Sequence, residues 1–547
     1  MHSHDTVDAN VGFPSDTQID AHRMPPAHRP TQQLRDERSV NSDAYVHSGA
    51  RPLDFVAVFG GVVTVARAIL RAPLVHLRLI VDTPAVWAPI AGAAVLVAVA
   101  WRADRNDRSR EPWPRLTELL AWMSGVAMLV WMFHAGRFPW TEGDWRAEWT
   151  FFSAWKESLR NGGLPYYLGS ALQGTERYLA NLETPMMPQV AGLAFLSINT
   201  FVLLHLASVY SIGFAGLIAL RRELRLGLLP WIVFVLIFTL NGHIVSHLSS
   251  GHLMWIAYFL APWMLVSMVR AARGDRSFRN AALCAVTFAA MILMGGWHVF
   301  VWSWLFVIFA CASPARMIVA VQISVMTALL AAVRLAPALV TFGTGANTFI
   351  SGYPSLASLF GALVGVPEPT ARLDAWEIEA FVGWGGLLLL GVGVIPFRDS
   401  ARRHLNVMLL PAVGLTALSL GQFYGHTLFR LPGLVSERVA TRLIVLPVVW
   451  LTLSGAVRLD AWWRGRRRSY PLGIAVLLGV SSVIVPLVLR AQTWRPHVGP
   501  DPGSLPTEVL KAMPVEPSYF WAFWVGAAIS IATIVATAVV LKSRERS

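Results

Sequence analysis

Apolar runs of about 17–23 residues recur from position 84 almost to the end of the chain, the length a helix needs to cross roughly 30 Å of hydrocarbon. No other feature constrains the fold as much. A backbone in hydrocarbon must satisfy its own polar groups, so runs of this length are helices or they are not in the bilayer. The chain has 547 residues, 55% hydrophobic and 14% charged. Its mean hydropathy is +0.52. A soluble protein of this size divides into domains joined by polar linkers, and no such linkers interrupt the runs. The expected fold is therefore an all-α integral membrane protein.

Spans are predicted near 84–101, 116–134, 198–220, 228–241, 253–269, 281–294, 297–312, 316–334, 380–397, 405–421, 442–458, 471–489 and 519–541. A weaker candidate at 53–71 is interrupted by Arg67 and Arg71. With it the count is fourteen and both termini fall on one side; without it the count is thirteen. Residues 1–50 are polar and aperiodic, without the apolar core of a signal peptide, and read as a disordered cytoplasmic tail ahead of one transmembrane domain, 51–547. The net charge of +13 comes mostly from arginines clustered between the runs, which is a topology signal and not a nucleic-acid footprint. The clusters at 101–110, 221–227, 270–279, 397–404, 458–470 and the C-terminus alternate onto one side, read as cytoplasmic. This implies a multi-pass protein of the inner (plasma) membrane with N- and C-termini in the cytoplasm. The opposite face then carries the long segments 135–197, 335–379, 422–441 and 490–518. Cys284 and Cys311 both lie in predicted spans, so neither a disulfide framework nor a thiolate metal site is indicated.

In the first long segment, Trp145, Trp149, Phe152 and Leu159 recur at helical spacing, which predicts an amphipathic helix in the outer interface with Asp144 as its N-cap. Asp144 is also the carboxylate best placed to meet a ligand at the membrane surface. Glu148 follows one turn later, as a second acidic contact, a metal ligand or a plain exposed glutamate; Glu183 stands beside the proline-rich return to the membrane. Arg438 and Arg442, four residues apart on an expected helix start, suit phosphate, with Arg430 nearby; snorkelling at the interface is the plainer reading. His243, His247 and His252 have a spacing open to zinc, but no cysteine or matching carboxylate completes a set, and His252 is preferred as a hydrogen-bonding group to substrate or loop. Trp140, Trp145 and Trp149 suit either stacking on a sugar or isoprenoid or an aromatic belt.

Several pieces together resemble the GT-C glycosyltransferase superfamily, especially its bacterial YfhO-type group. They are Gly143-Asp144, Gly163-Leu164-Pro165, Gly174-Thr175, Ala180-Asn181 and Pro185 to Pro188, then SSGHLMWIAYFLAPW at 249–263, Glu379 and Gly383 in EIEAFVGWGGLLLL, and FRLPGLVSERVATRLIVL at 429–446. The likeness covers about residues 110–460 in order, and departs at Tyr166-Tyr167, where the family often has an Asn-Pro step. It implies a GT-C-like enzyme moving a sugar from a polyprenyl-phosphate donor to a lipid or glycan acceptor at the outer face, with inversion and an Asp general base. On that reading Asp144, Glu148 and Glu183 are catalytic candidates, Arg438, Arg442 and Arg430 bind the donor phosphate, and His252, Glu379 and Trp145 contact substrate. No metal ligand set is assigned, and a divalent cofactor is neither required nor excluded. No nucleic-acid partner is expected. A glycolipid transporter and a non-catalytic envelope-assembly protein are the alternatives.

Overall fold

The computed structural model describes residues 87–105, 113–169, 177–341, 351–367, 373–427, 437–464, 470–499, 509–511 and 513–546. The N-terminal tail, the weak span at 53–71, Gly174-Thr175 and Arg430 lie outside them. All the described residues belong to one compact unit within Leu70–Ser547.

The elements follow the apolar runs. In chain order they are α1 (Trp87–Arg105), α2 (Trp113–Met132), α3 (Trp145–Arg160), α4 (Ile198–Leu224), α5 (Leu228–Leu240), α6 (Gly242–Ser249), a 3-10 stretch Leu253–Leu260, α7 (Ala261–Ala272), α8 (Phe278–Leu293), α9 (Trp297–Ala310), α10 (Pro314–Leu330) and α11 (Ala332–Thr341). There follow α12 (Leu356–Val364), α13 (Ala375–Ile378), α14 (Gly383–Val394), α15 (Leu409–Ser419), α16 (Gln422–Thr427), α17 (Val445–Arg464), α18 (Tyr470–Thr493) and α19 (Pro517–Arg546). Among the described residues no β-strand forms, only three isolated bridges. Each of the thirteen stronger predicted spans falls on a helix.

The protein is a multi-pass helical membrane protein. Six of its described helical stretches are long and apolar enough to cross a bilayer: Ile198–Leu224, Leu228–Ser249, Leu253–Ala272, Ala375–Val394, Ala440–Arg464 and Pro517–Ser543. The predicted single span at 316–334 is a correction: α10 and α11 meet at a bend of 81°. The backbone freed by the bend is satisfied within the protein, because Val333 N–H donates to Ser530 Oγ of α19 at 3.0 Å. Gly526 permits the approach, since a Cβ there would stand 2.4 Å from the Ala332 carbonyl.

The arginine-rich loops gather at one end of the bundle, where acids meet them. Glu118 pairs with Arg221 at 2.5 Å, Glu223 with Arg273 at 2.5 Å and Asp460 with Arg464 at 2.8 Å. Asp104 accepts the Leu228 and Leu229 N–H groups and Asp460 that of Gly227, capping the start of α5 with negative charge. The opposite helix ends carry α3, the return loop at 177–197, α6, α13 and the start of α17. Candidate chemistry collects there.

Candidate active site

Two glycines build this site. Gly251 takes a positive φ of 101°, and a Cβ on it would lie 2.5 Å from the Trp145 nitrogen. Only a residue without a side chain lets the turn after α6 close on the start of α3. The next residue, His252, thereby reaches Asp144, with Nε2 2.7 Å from Oδ2. Gly295 repeats the device with a φ of 80°, and a Cβ on it would lie 2.5 Å from the Glu183 carbonyl oxygen. Three residues on, His298 sets its Nε2 3.0 Å from Glu183 Oε1. Each carboxylate is thus met by an imidazole delivered by a glycine that packs on the carboxylate's own backbone.

Asp144 occupies the N-cap position of α3 without capping it: its φ and ψ are −74° and −15°, and its side chain accepts no N–H of the helix. This corrects the expected cap. The carboxylate is instead committed to His252 through Oδ2, and Oδ1 has no protein partner among the described residues. Its side chain is 38% exposed.

Glu148 is buried one turn further along α3. Burial pushes its carboxyl well above the usual range, the charges of Asp144 and Glu183 push it further, and a hydrogen bond from the Leu253 backbone only partly opposes them. Burial and like charge both favour its protonated form. Glu183 shows the opposite balance. Desolvation raises it, but the hydrogen bond and charge of His298, then Arg442 and His252, outweigh that and hold it at about 2. His298 also places Nδ1 2.6 Å from Glu437 Oε1, while Trp302 Nε1 donates to the other oxygen at 3.0 Å. Both nitrogens of His298 face carboxylates, an arrangement that favours a proton on each.

The histidines lie in a row. His243 Nδ1 is 2.7 Å from the Glu379 carbonyl, and His247 Nδ1 is 2.8 Å from His252 Nδ1. Their nitrogens turn to different partners and do not converge on one point; among the described residues no three His, Cys, Asp or Glu groups are arranged to hold a metal. His247 stacks on Trp255 at 3.7 Å, with Nε2 3.5 Å from Glu377 Oε2. Arg442 grips Glu377 in bidentate fashion, at 2.5 and 2.9 Å, with its guanidinium 5.4 Å from the Trp255 ring.

Arg438 and Arg442 do not share the helix face that their spacing predicts. Val439 between them bridges in parallel to Ser351, and residues 440–444 form a 3-10 turn, so Arg442 turns inward while Arg438 stays exposed. Glu379 is placed as a structural group: it is fully buried, paired with Arg490, and accepts from Trp494 Nε1 at 3.2 Å and Phe381 N–H at 3.1 Å. A buried carboxylate with these partners has no oxygen to offer a ligand. Trp145 is 2% exposed, packed among Phe133, Phe138 and Trp140, and donates to the Ser249 carbonyl at 2.9 Å. The aromatic face of α3 therefore packs into the protein, where an interfacial belt was expected.

Arg334 completes the loop. Fully buried, it donates to the carbonyls of Leu179 at 3.0 Å and Thr184 at 2.7 Å and to Thr184 Oγ1 at 2.5 Å, holding the turn that presents Glu183. Sequence reading passed over His298, Glu377, Glu437 and this role of Arg334. The one available signal was Gly295-Gly296 before His298, which repeats the Gly251-His252 step at another span mouth.

Comparison with protein-family models finds no match, and neither does comparison with curated proteins. Among solved structures, the chain is similar to one described as the arabinofuranosyltransferase AftD from mycobacteria, with a TM-score of 0.44 and 17% identity. The likeness covers 71% of this chain and 27% of that one, so this chain spans about a quarter of its length.

Proposed function

We propose that the chain is a membrane glycosyltransferase that moves a sugar from a polyprenyl-phosphate donor to an acceptor hydroxyl at the outer face, with Asp144 as general base. The observation carrying this reading is the state of Asp144: a part-exposed carboxylate at the start of α3, one oxygen fixed by His252 and the other without a partner among the described residues. Of the acids beside it, Glu148 has its carboxyl pushed well above the usual range by burial, and Glu183, held at about 2, has little affinity for a proton. Asp144 Oδ1 takes the acceptor's proton as its oxygen bonds to the anomeric carbon. The carbon–phosphate-oxygen bond breaks on the far side, the phosphate leaves with the electron pair, and a single displacement inverts the centre. The exposed Arg438 is the cation assigned to the leaving phosphate.

For the isoprenoid there is an apolar chamber of about 240 Å³ between α1, α2, α4, α5 and α18, lined by Gly92, Ala93, Ala121, Gly125, Trp131 and Leu240 among others. Leu240 closes α5, immediately before α6 brings His243 and His247 to the site. The bent pair α10–α11, a feature of transporters, is occupied otherwise here, because its buried Arg334 is spent on loop carbonyls.

The test is sugar transfer in vesicles from a synthetic polyprenyl-phosphate sugar. Asp144→Asn keeps the shape of the side chain and is expected to cost about 10²–10⁴-fold in rate with the fold intact. Retention of more than about a tenth of the rate would remove Asp144 from the role of base.

A further inference from the structure

α2 and α18 both line the apolar chamber, and the segments that follow them meet beyond it. After Met132, the end of α2, the chain turns through two L-residues in the left-handed region, His134 at φ 48° and Ala135 at φ 57°. Residues 494–499, which follow α18, pack on the same loop, and a Cβ on Gly499 would lie 2.4 Å from Pro139 Cα. Arg495 is fixed there. Its Nε donates to the Trp131 carbonyl at 3.0 Å, Nη2 donates to His134 Nδ1 at 2.9 Å, and the guanidinium lies 4.9 Å from the Trp131 ring. Trp131 is itself part of the chamber lining. The Pro496 carbonyl can only accept, so His134 Nε2, 2.7 Å away, donates to it; the ring is the neutral tautomer and the charge stays on Arg495. Two of the five guanidinium N–H groups are engaged, and the others have no partner among the described residues. The exposed Arg137 and His497 are near enough for their charges to be felt at His134. Among the described residues no carboxylate pairs with Arg495, Arg137 or His497. This end of the bundle lies opposite the arginine-rich loops, so the topology signal does not account for positive charge here.

We propose that Arg495, Arg137 and His497 seat the phosphate of a lipid whose chain lies in the apolar chamber, and that the head they fit best is a phosphate monoester, the form a polyprenyl carrier takes once its sugar has left. An unpaired cation beside an apolar chamber matches an amphiphile with an anionic head: the chain gains from burial and the head from charge-assisted hydrogen bonds. Two oxygens of a phosphate suit the planar fork of a guanidinium. Charge then selects between esters. A sugar-phosphate diester carries one negative charge, whereas a monoester carries about 1.5 to 2 at neutral pH. Two arginine charges without a carboxylate to answer them are balanced by the second and only half balanced by the first. The seat also adjoins the candidate active site. Trp494, next to Arg495, accepts a hydrogen bond from Ser249 Oγ, and the Ser249 carbonyl accepts from Trp145 Nε1 at 2.9 Å, one residue after Asp144. It is a different group from Arg438, whose carbonyl accepts the Ser351 N–H at 2.9 Å and which meets the phosphate as it leaves. His134 is a positioning residue, touching Arg495 and not the phosphate. Naming the lipid as the spent carrier rests on the proposed function; an anion seat beside an apolar chamber does not.

Equilibrium binding of radiolabelled farnesyl phosphate, a short monoester, to the purified full-length protein in neutral detergent tests the seat without turnover. By competition, wild type is expected to prefer it about tenfold or more over farnesol and over farnesyl methyl phosphate. Arg495→Gln is expected to weaken farnesyl phosphate by about tenfold while farnesol moves by less than about twofold. Arg137→Gln, at an exposed position, is expected to act in the same direction by several-fold, and it reads the same charge if Arg495→Gln does not fold. Arg438→Gln is expected to leave this binding unchanged. Farnesol competing as well as farnesyl phosphate, or variants that weaken both ligands alike, overturn the seat. So does equal competition by inorganic phosphate, which needs no chamber, or by phosphatidylglycerol, which would make this a site for bulk membrane lipid. Equal affinity for monoester and methyl diester overturns the assignment to the spent carrier. Farnesyl phosphate binding without sugar transfer by wild type keeps the seat and removes the transferase; transfer that Asp144→Asn abolishes, with no farnesyl phosphate bound by wild type, does the reverse.

Discussion

At the scale of single residues, Glu148 and Glu183 have been driven in opposite directions by their surroundings, and pH separates them. Glu148 holds its proton more tightly folded than unfolded, so its contribution is fully present below the unfolded value near 4.5 and is lost as pH rises through the raised value. Replacing it by Gln, which mimics the neutral acid, is expected to stabilise the protein increasingly on the alkaline side, read as a difference in Tm from wild type at rising pH. Glu183 is depressed to about 2, so the stability of its pair with His298 is present above 4.5 and fades as pH falls towards 2. Glu183→Gln is therefore expected to lower Tm at neutral pH by an amount that shrinks below about pH 4, and a constant difference across that range would contradict the assignment.

At the scale of elements, two glycine turns and one buried arginine fix where the carboxylates stand. A methyl group on Gly251 meets the Trp145 nitrogen and also forces a positive φ on an L-residue, so Gly251→Ala is expected to cost about 1–3 kcal/mol in thermal unfolding. Because the strain falls on the segment that delivers His252, the same variant is expected to lose transfer activity beyond what its stability loss explains. Wild-type activity in folded Gly251→Ala would show that the contact between this turn and α3 is dispensable. The helices around the site were readable from their apolar period and length. The break between α10 and α11 was not, since Ala331 and its neighbours are good helix formers, and the bend is set by packing against α19 and by what Arg334 must reach.

For the molecule as a whole, the apolar chamber is where the proposed function puts the lipid chain. Gly92 lines it, and a Cβ there would meet nothing within 4 Å, so a larger side chain narrows the chamber without distorting α1. Gly92→Phe is expected to raise the KM for a long-chain polyprenyl donor several-fold while affecting a short-chain analogue less. Equal effects on both donors would place the lipid elsewhere.

The sequence by itself determined a helical membrane architecture, the positions of its strongest spans and the helix that follows Asp144, because these follow from hydrophobic length and local period, which are properties of contiguous residues. The tertiary structure alone decided which charged groups are paired. Arg442 and Arg438 look equivalent four residues apart, yet one is locked to Glu377 and the other exposed; Glu379 looks available, yet Arg490, over a hundred positions away in the chain, takes it. A charge's role in this protein depends on the partner that balances it across the bundle, and that partner is chosen by packing between distant segments, which no local pattern records.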